Sequence, residues 1–92
     1  MAQIEIQLPS LLSAVVEGDL TFPFEASTLR DAFERLGAQR PRLALHLFDE
    51  GGALRQHVLC FWNETNTRWL DDLDAALSDG DTLLFMQAVS GG

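Results

Sequence analysis

Between Gln3 and Leu8 apolar and polar residues alternate without a break. Ile4, Ile6 and Leu8 fall on one side, and Gln3, Glu5 and Gln7 on the other. A period of two fits a half-buried strand and no helix, so the chain must supply both a sheet and a cover for its apolar side. Pro9-Ser10 ends the strand. Leu20, Phe22 and Phe24 then alternate with Thr21, Pro23 and Glu25. Pro23 has no N–H for a ladder, which puts this second strand at a sheet edge. In the connection between the two, Leu11, Leu12, Val15 and Val16 are expected to turn partly inward.

A helical cover follows at once. Ser27-Thr28 are N-cap residues, and Asp31 stands three after Thr28 in the acid position of a capping box. Leu29, Ala32, Phe33 and Leu36 recur at helical spacing on one face. Arg30–Glu34 and Asp31–Arg35 are pairs of opposite charge four residues apart, and Gly37 is the expected stop. Pro41 is expected to open a short second helix through His46, before a loop over Asp49-Glu50-Gly51-Gly52.

Val58 to Trp62 is a compact apolar run, read as a central strand, and Asn63 to Arg68 as a turn. Asp71 to Leu77 is expected to hold a short helical turn, Asp79-Gly80-Asp81 a tight turn, and Thr82 to Val89 the last strand. Strands at both ends with helix in the middle favour an α+β fold over repeating βαβ units. Terminal strands side by side in the sheet, crossed by one main helix, make a β-grasp. The expectation is a mixed sheet of four to five strands forming a single domain over residues 1–92, with a flexible tail from about residue 88.

The chain has 92 residues, 47% of them hydrophobic, which suffices for one modest core and leaves no room for a deep interdomain cleft. Its net charge of −8, with six arginines and no lysine, repels nucleic-acid phosphates and anionic lipid surfaces and suits docking on a basic partner. One cysteine allows no intramolecular disulfide. The N-terminal residues lack a signal-peptide pattern and no apolar run reaches spanning length, so a cytoplasmic protein is expected.

Self-sufficient catalysis finds little support. His46, His57 and Cys60 lack the paired spacings of zinc sites. Asp71, Asp72, Asp74, Asp79 and Asp81 are acidic, but an EF-hand register with Gly80 at loop position six would put Ala75 and Leu77 among the ligands. A solvated acidic face is the better reading. Cys60, inside an apolar strand, reads as a core residue rather than a reactive thiol. Gly51-Gly52 lacks the further glycines and lysine of a phosphate-binding loop.

The strand faces say more. With Val58, Cys60 and Trp62 inward, Leu59 and Phe61 point out; with Leu83 and Phe85 inward, Leu84, Met86 and Ala88 point out. An antiparallel sheet normally shows polar residues on its open side, so a contiguous apolar patch there marks a partner surface. After that strand come Val89, Ser90, Gly91 and Gly92. A chain end without Cβ atoms can thread a narrow channel, and Ala88 to Gly92 extended reaches about 17 Å.

These residues carry a resemblance. The tail Ala88-Val89-Ser90-Gly91-Gly92, behind Leu77-Ser78-Asp79-Gly80-Asp81 and an apolar strand, resembles the ThiS/MoaD family of ubiquitin-like sulfur carriers. His57 to Glu64, with Arg68 after it, resembles that family's third strand and following turn. The resemblance implies a β-grasp fold and a carrier that is not itself an enzyme. It binds no cofactor; ATP is consumed by a partner, a ubiquitin-activating-like adenylyltransferase, which would adenylate the carboxylate of Gly92. Sulfur then displaces AMP to leave a thiocarboxylate, and a sulfur-accepting synthase takes the sulfur into a metabolite such as molybdopterin, thiamine or cysteine. Gly91 and Gly92 would be the reacting end, with Leu59, Phe61, Leu84, Met86, Ala88, Val89 and Ser90 touching partners.

The sequence departs from the family at Gln87, where many members have proline, and at Asn66, where many have an acid. The long segment from Ala38 to Gln56 is similar to that of longer carriers, including those serving cysteine synthesis. Two other functions remain open: a ubiquitin-like modifier joined to lysines of target proteins, and a non-catalytic β-grasp interaction module.

Overall fold

The computed structural model describes residues 1–16 and 18–88. Strand β1 (Ala2–Gln7) pairs antiparallel with β2 (Thr21–Ala26). Helix α1 (Leu29–Gln39) follows, then α2 (Pro41–Leu47). Strands β3 (Val58–Trp62), β4 (Thr65–Asn66) and β5 (Thr82–Gln87) complete a sheet of order β2-β1-β5-β3-β4. The two terminal strands run parallel in its centre and all other pairings are antiparallel, the arrangement of a β-grasp. Pro23 does lie on an edge strand, opposite Glu5.

One side of the sheet builds the core. Ile4, Ile6, Phe24, Val58, Cys60, Leu83 and Phe85 are buried in one cluster with Leu29, Phe33 and Leu36 of α1 and Leu43 and Leu47 of α2. Phe33 tilts against Phe85 and Phe48 meets it edge-on, with ring centroids 6.1 and 6.2 Å from it. The alternation in β1 is that of a strand with one dry side and one wet side.

The Asp79-Gly80-Asp81 turn fastens the central pair. Gly80 adopts φ +92°, a left-handed conformation that glycine takes without penalty. Asp79 Oδ1 accepts from the Gln3 amide at 2.8 Å, the Gly80 amide donates to the Gln3 carbonyl at 2.9 Å, and the Glu5 amide donates to the Asp81 carbonyl at 3.0 Å. Asp81 Oδ2 accepts from the indole of Trp62 and from the Ser78 amide, both at 2.9 Å, and Asn63 Nδ2 donates to Oδ1 at 3.1 Å. Led by the Trp62 bond, these donors hold the Asp81 carboxyl below its ordinary range.

Helix α1 begins as expected: Thr28 Oγ1 accepts from the Asp31 amide and Asp31 Oδ2 accepts from the Ser27 amide. It ends differently. Gly37 lies inside the helix, which continues to Gln39; a Cβ there would meet only that of Ala44 in α2, at an ordinary contact distance of 4.0 Å. Arg35 pairs with Asp31 as expected, whereas Arg30 reaches Asp74 at 2.9 Å instead of Glu34. That contact bears on another expectation. Residues 71–77 form no helical turn; the Leu29 and Arg30 amides bond the Ala75 and Leu73 carbonyls, holding the segment extended along the start of α1. Leu11 is exposed, while Leu12 is buried and Val15 and Val16 pack partly inward. Asn63 to Arg68 is more than a turn, since Thr65–Asn66 form the edge strand β4. Strand β5 ends at Gln87; Val89, assigned to it from sequence, lies outside the described residues, as do Ser90, Gly91 and Gly92.

Candidate functional site

The pairing of β3 with β5 decides the outer surface. Leu59 stands opposite Met86 and Phe61 opposite Leu84, so the four apolar residues form two adjacent cross-strand pairs on the side away from the helices. Their intervening neighbours, Cys60 opposite Phe85, are wholly buried on the helix side. Met86 is 43% exposed and Leu59, Phe61 and Leu84 are half-buried against one another. The structure thus brings together the sequence-predicted patch, with Ala88, also half-buried, at its end. On the adjacent strand this side turns polar, with Gln7 level with Leu84 and Glu5 level with Thr82.

Ala88 closes the ladder. Its amide donates to the carbonyl of His57 at 2.7 Å, one step beyond the Val58–Gln87 pair. The patch therefore runs up to the residue from which 89–92 continue.

The remaining chemistry is quiet. Burial pushes the Cys60 thiol up to about 12, far from a thiolate at neutral pH, with the Thr67 hydroxyl as a weaker opposing influence. Among the described residues no cluster of three His, Cys, Asp or Glu side chains is arranged to hold a metal, and no helix is long and apolar enough to cross a membrane. The acidic segment meets the rest of the protein through Arg30–Asp74 and through the turn bonds of Asp79 and Asp81.

Sequence reasoning missed the role of Arg68. Its Nη2 donates to the carbonyls of Arg55 at 2.6 Å and Val58 at 2.7 Å, while its amide is capped by Asn66 Oδ1 at 3.0 Å. An asparagine two residues before an arginine is a local turn signal, but nothing in the spacing reveals which distant carbonyls the guanidinium will meet.

The description ThiS family belongs to a family model that matches residues 6–92. Small archaeal modifier protein 1 of Methanosarcina acetivorans is similar, at 26% identity and a TM-score of 0.79, covering 100% of this chain and 98% of that one. So is small archaeal modifier protein 1 of Haloferax volcanii, at 28% identity and a TM-score of 0.76, covering 99% and 100%. A chain of the BexX/CysO complex of Amycolatopsis orientalis shares the fold at 22% identity and a TM-score of 0.79, covering 97% and 99%. Among curated proteins, none matches the chain by sequence.

Proposed function

The chain belongs to the ThiS family of ubiquitin-like sulfur carriers, and on that premise we propose that it is a co-substrate whose reacting group is the carboxylate of Gly92. A carboxylate is a poor electrophile. In a partner adenylyltransferase it attacks the α-phosphate of ATP, pyrophosphate leaves, and the resulting mixed anhydride carries AMP as a good leaving group. Sulfide displaces AMP and forms the thiocarboxylate directly. A persulfide donor instead forms an acyl disulfide as AMP leaves, and a thiol reductant then cleaves its S–S bond to release the thiocarboxylate. A second partner, a synthase, accepts that sulfur. Catalytic groups and ATP belong to the partners, and the exchange takes place in the cytoplasm on a single domain spanning 1–92.

The observation that carries this reading is one of placement. The cross-strand pairs Leu59–Met86 and Phe61–Leu84 lead along the outer side of β5 to Ala88, with only Val89 and Ser90 between it and the Gly-Gly end. A partner that covers the patch is thereby brought to the chain terminus, with Gly91 free of a side chain where a channel would close around the backbone. The test is a reconstituted sulfur transfer with activating enzyme, ATP, sulfur donor and acceptor synthase. Full-length protein supports product formation; removal of Gly92 abolishes it while the fold is retained. A Gly92-deleted protein that still delivers sulfur would overturn the reading.

Two similar structures are of proteins named modifiers, which favours one second reading. There the same activated carboxylate is attacked by a lysine amine of a target instead of by sulfur. Covalent adducts carrying this chain through an isopeptide bond at Gly92, appearing in place of thiocarboxylate, would select it.

A further inference from the structure

Six short contacts converge on the place where β5 hands over to residues 89–92. The Arg55 side chain and amide bond the carbonyls of Leu45 and Leu47, at 2.8 and 2.9 Å, anchoring the chain before β3 to α2. The Val58 amide donates to the Arg55 carbonyl at 2.9 Å, closing a tight turn over residues 55–58. The guanidinium of Arg68 then grips that turn at both ends, through the Arg55 and Val58 carbonyls. Inside the turn sits His57, whose carbonyl receives the Ala88 amide. The guanidinium bonds the Arg55 and Val58 carbonyls and not Ala88 itself. Arg68 acts through the turn, and Asn66 aims it there by bonding its amide.

We propose that Arg68 is a positioning residue for the reaction at Gly92: it fixes the 55–58 turn, and so the His57 carbonyl that holds Ala88 at the point from which the reacting end departs. The proposal rests on the carrier reading and goes beyond it by naming a residue distant from the terminus. A planar fork suits the task, because one guanidinium nitrogen with two hydrogens meets two carbonyls at once. The cross-strand pairs of the docking patch, Leu59–Met86 and Phe61–Leu84, lie outside the clamp, with only Ala88 at the patch's end shared. Losing the clamp should therefore disturb the hold on Ala88 while leaving the partner's grip on the sheet intact. Misplacing a reacting group by a fraction of its length lowers turnover more than affinity.

The experiment compares Arg68→Ala and Arg68→Lys with the wild type in two measurements. The first is amide exchange of the isolated protein. Exchange at Ala88 should accelerate about tenfold or more in Arg68→Ala relative to amides in the middle of β5, with Arg68→Lys intermediate. The second is loading of Gly92 by activating enzyme, ATP and a sulfide donor, below the thermal transition of each variant. There kcat should fall about tenfold in Arg68→Ala with KM for the carrier within about twofold of wild type. A purely structural role would lower the thermal transition and leave kcat of the folded protein alone. Unchanged exchange at Ala88, or unchanged kcat despite faster exchange, overturns the proposal. If Arg68→Ala does not fold, Arg68→Lys and Arg68→Gln carry the same comparison. Wild type that cannot be loaded at all instead defeats the carrier reading, a separate outcome that takes the positioning role with it.

Discussion

β1 and β5 lie side by side and parallel in the middle of one sheet, with Glu5, Ile6 and Gln7 level with Thr82, Leu83 and Leu84. Toward the helices they are alike: Ile4, Ile6, Leu83 and Phe85 are all buried in one core. Away from the helices they part. β1 shows Gln3, Glu5 and Gln7 to water, while β5 shows Leu84 and Met86, extended by Leu59 and Phe61 of β3. Folding requires only one dry side, and β1 meets that requirement with polar residues on the other. The second apolar side of β5 adds nothing the fold needs, which is why it reads as a surface dried by a partner.

The largest effect should come from the side both strands share. Phe85→Ala should cost about 3–5 kcal/mol of monomer stability, since the fully buried ring packs against both Phe33 and Phe48. Chemical denaturation measures it, and a cost below that of a surface change would mean the two sides have been confused. Next door on the outer side, Phe61→Ala should weaken binding to the activating partner by about 2 kcal/mol while the monomer keeps most of its stability. Calorimetric titration beside a denaturation curve separates the two. Equal losses in both would assign Phe61 to the core and erase the contrast between strands.

Much of this contrast was legible in the sequence, and the reasons are local. Period-two spacing assigned the inner residues of β1, β3 and β5, and the same spacing made Leu59, Phe61, Leu84 and Met86 neighbours, because a ladder in register leaves no other outcome. Gly37 misled because a glycine near the end of a helix often stops it; here its φ stays negative and the helical bonding runs on to the Arg40 amide, which donates to the Leu36 carbonyl. The 71–77 segment misled for a related reason. Its carbonyls are taken by the amides of Leu29 and Arg30, so it lies extended where its composition allowed a turn. β4 is two residues long, too short for any period to register. The Arg68 clamp depends on contacts ten and thirteen residues away, and residue type alone does not reveal them.

A smaller effect sharpens the inner side. Cys60→Ala should cost about 1–2 kcal/mol through lost buried volume and leave loading at Gly92 unchanged. A folded Cys60→Ala protein that cannot be loaded would give the thiol a chemical role that its burial argues against. Smaller again, Leu84→Gln makes β5 resemble β1 on the outer side; stability should stay within about 0.5 kcal/mol while partner affinity falls. Unchanged affinity would sever the patch from docking.

The turn that joins the two strands has its own pH signature. The Asp81 carboxyl is held low by its donors, so its contribution is present above the ordinary aspartate range and is lost as pH falls through its lower folded value. Asp81→Asn should therefore be less stable than wild type at neutral pH, with the difference closing in strong acid; a gap that persists there would contradict the assignment.

The most direct test lies at Gly92. Intact-mass spectrometry after incubation with a cognate activating enzyme, ATP and a sulfur donor should find one oxygen replaced by sulfur. Fragmentation should map the change to the final residue, and it should be absent from Gly91→Val, whose branched side chain cannot enter a passage sized for backbone. A sulfur found anywhere else in the chain, or an unchanged mass with a partner that demonstrably turns over ATP, would contradict the account.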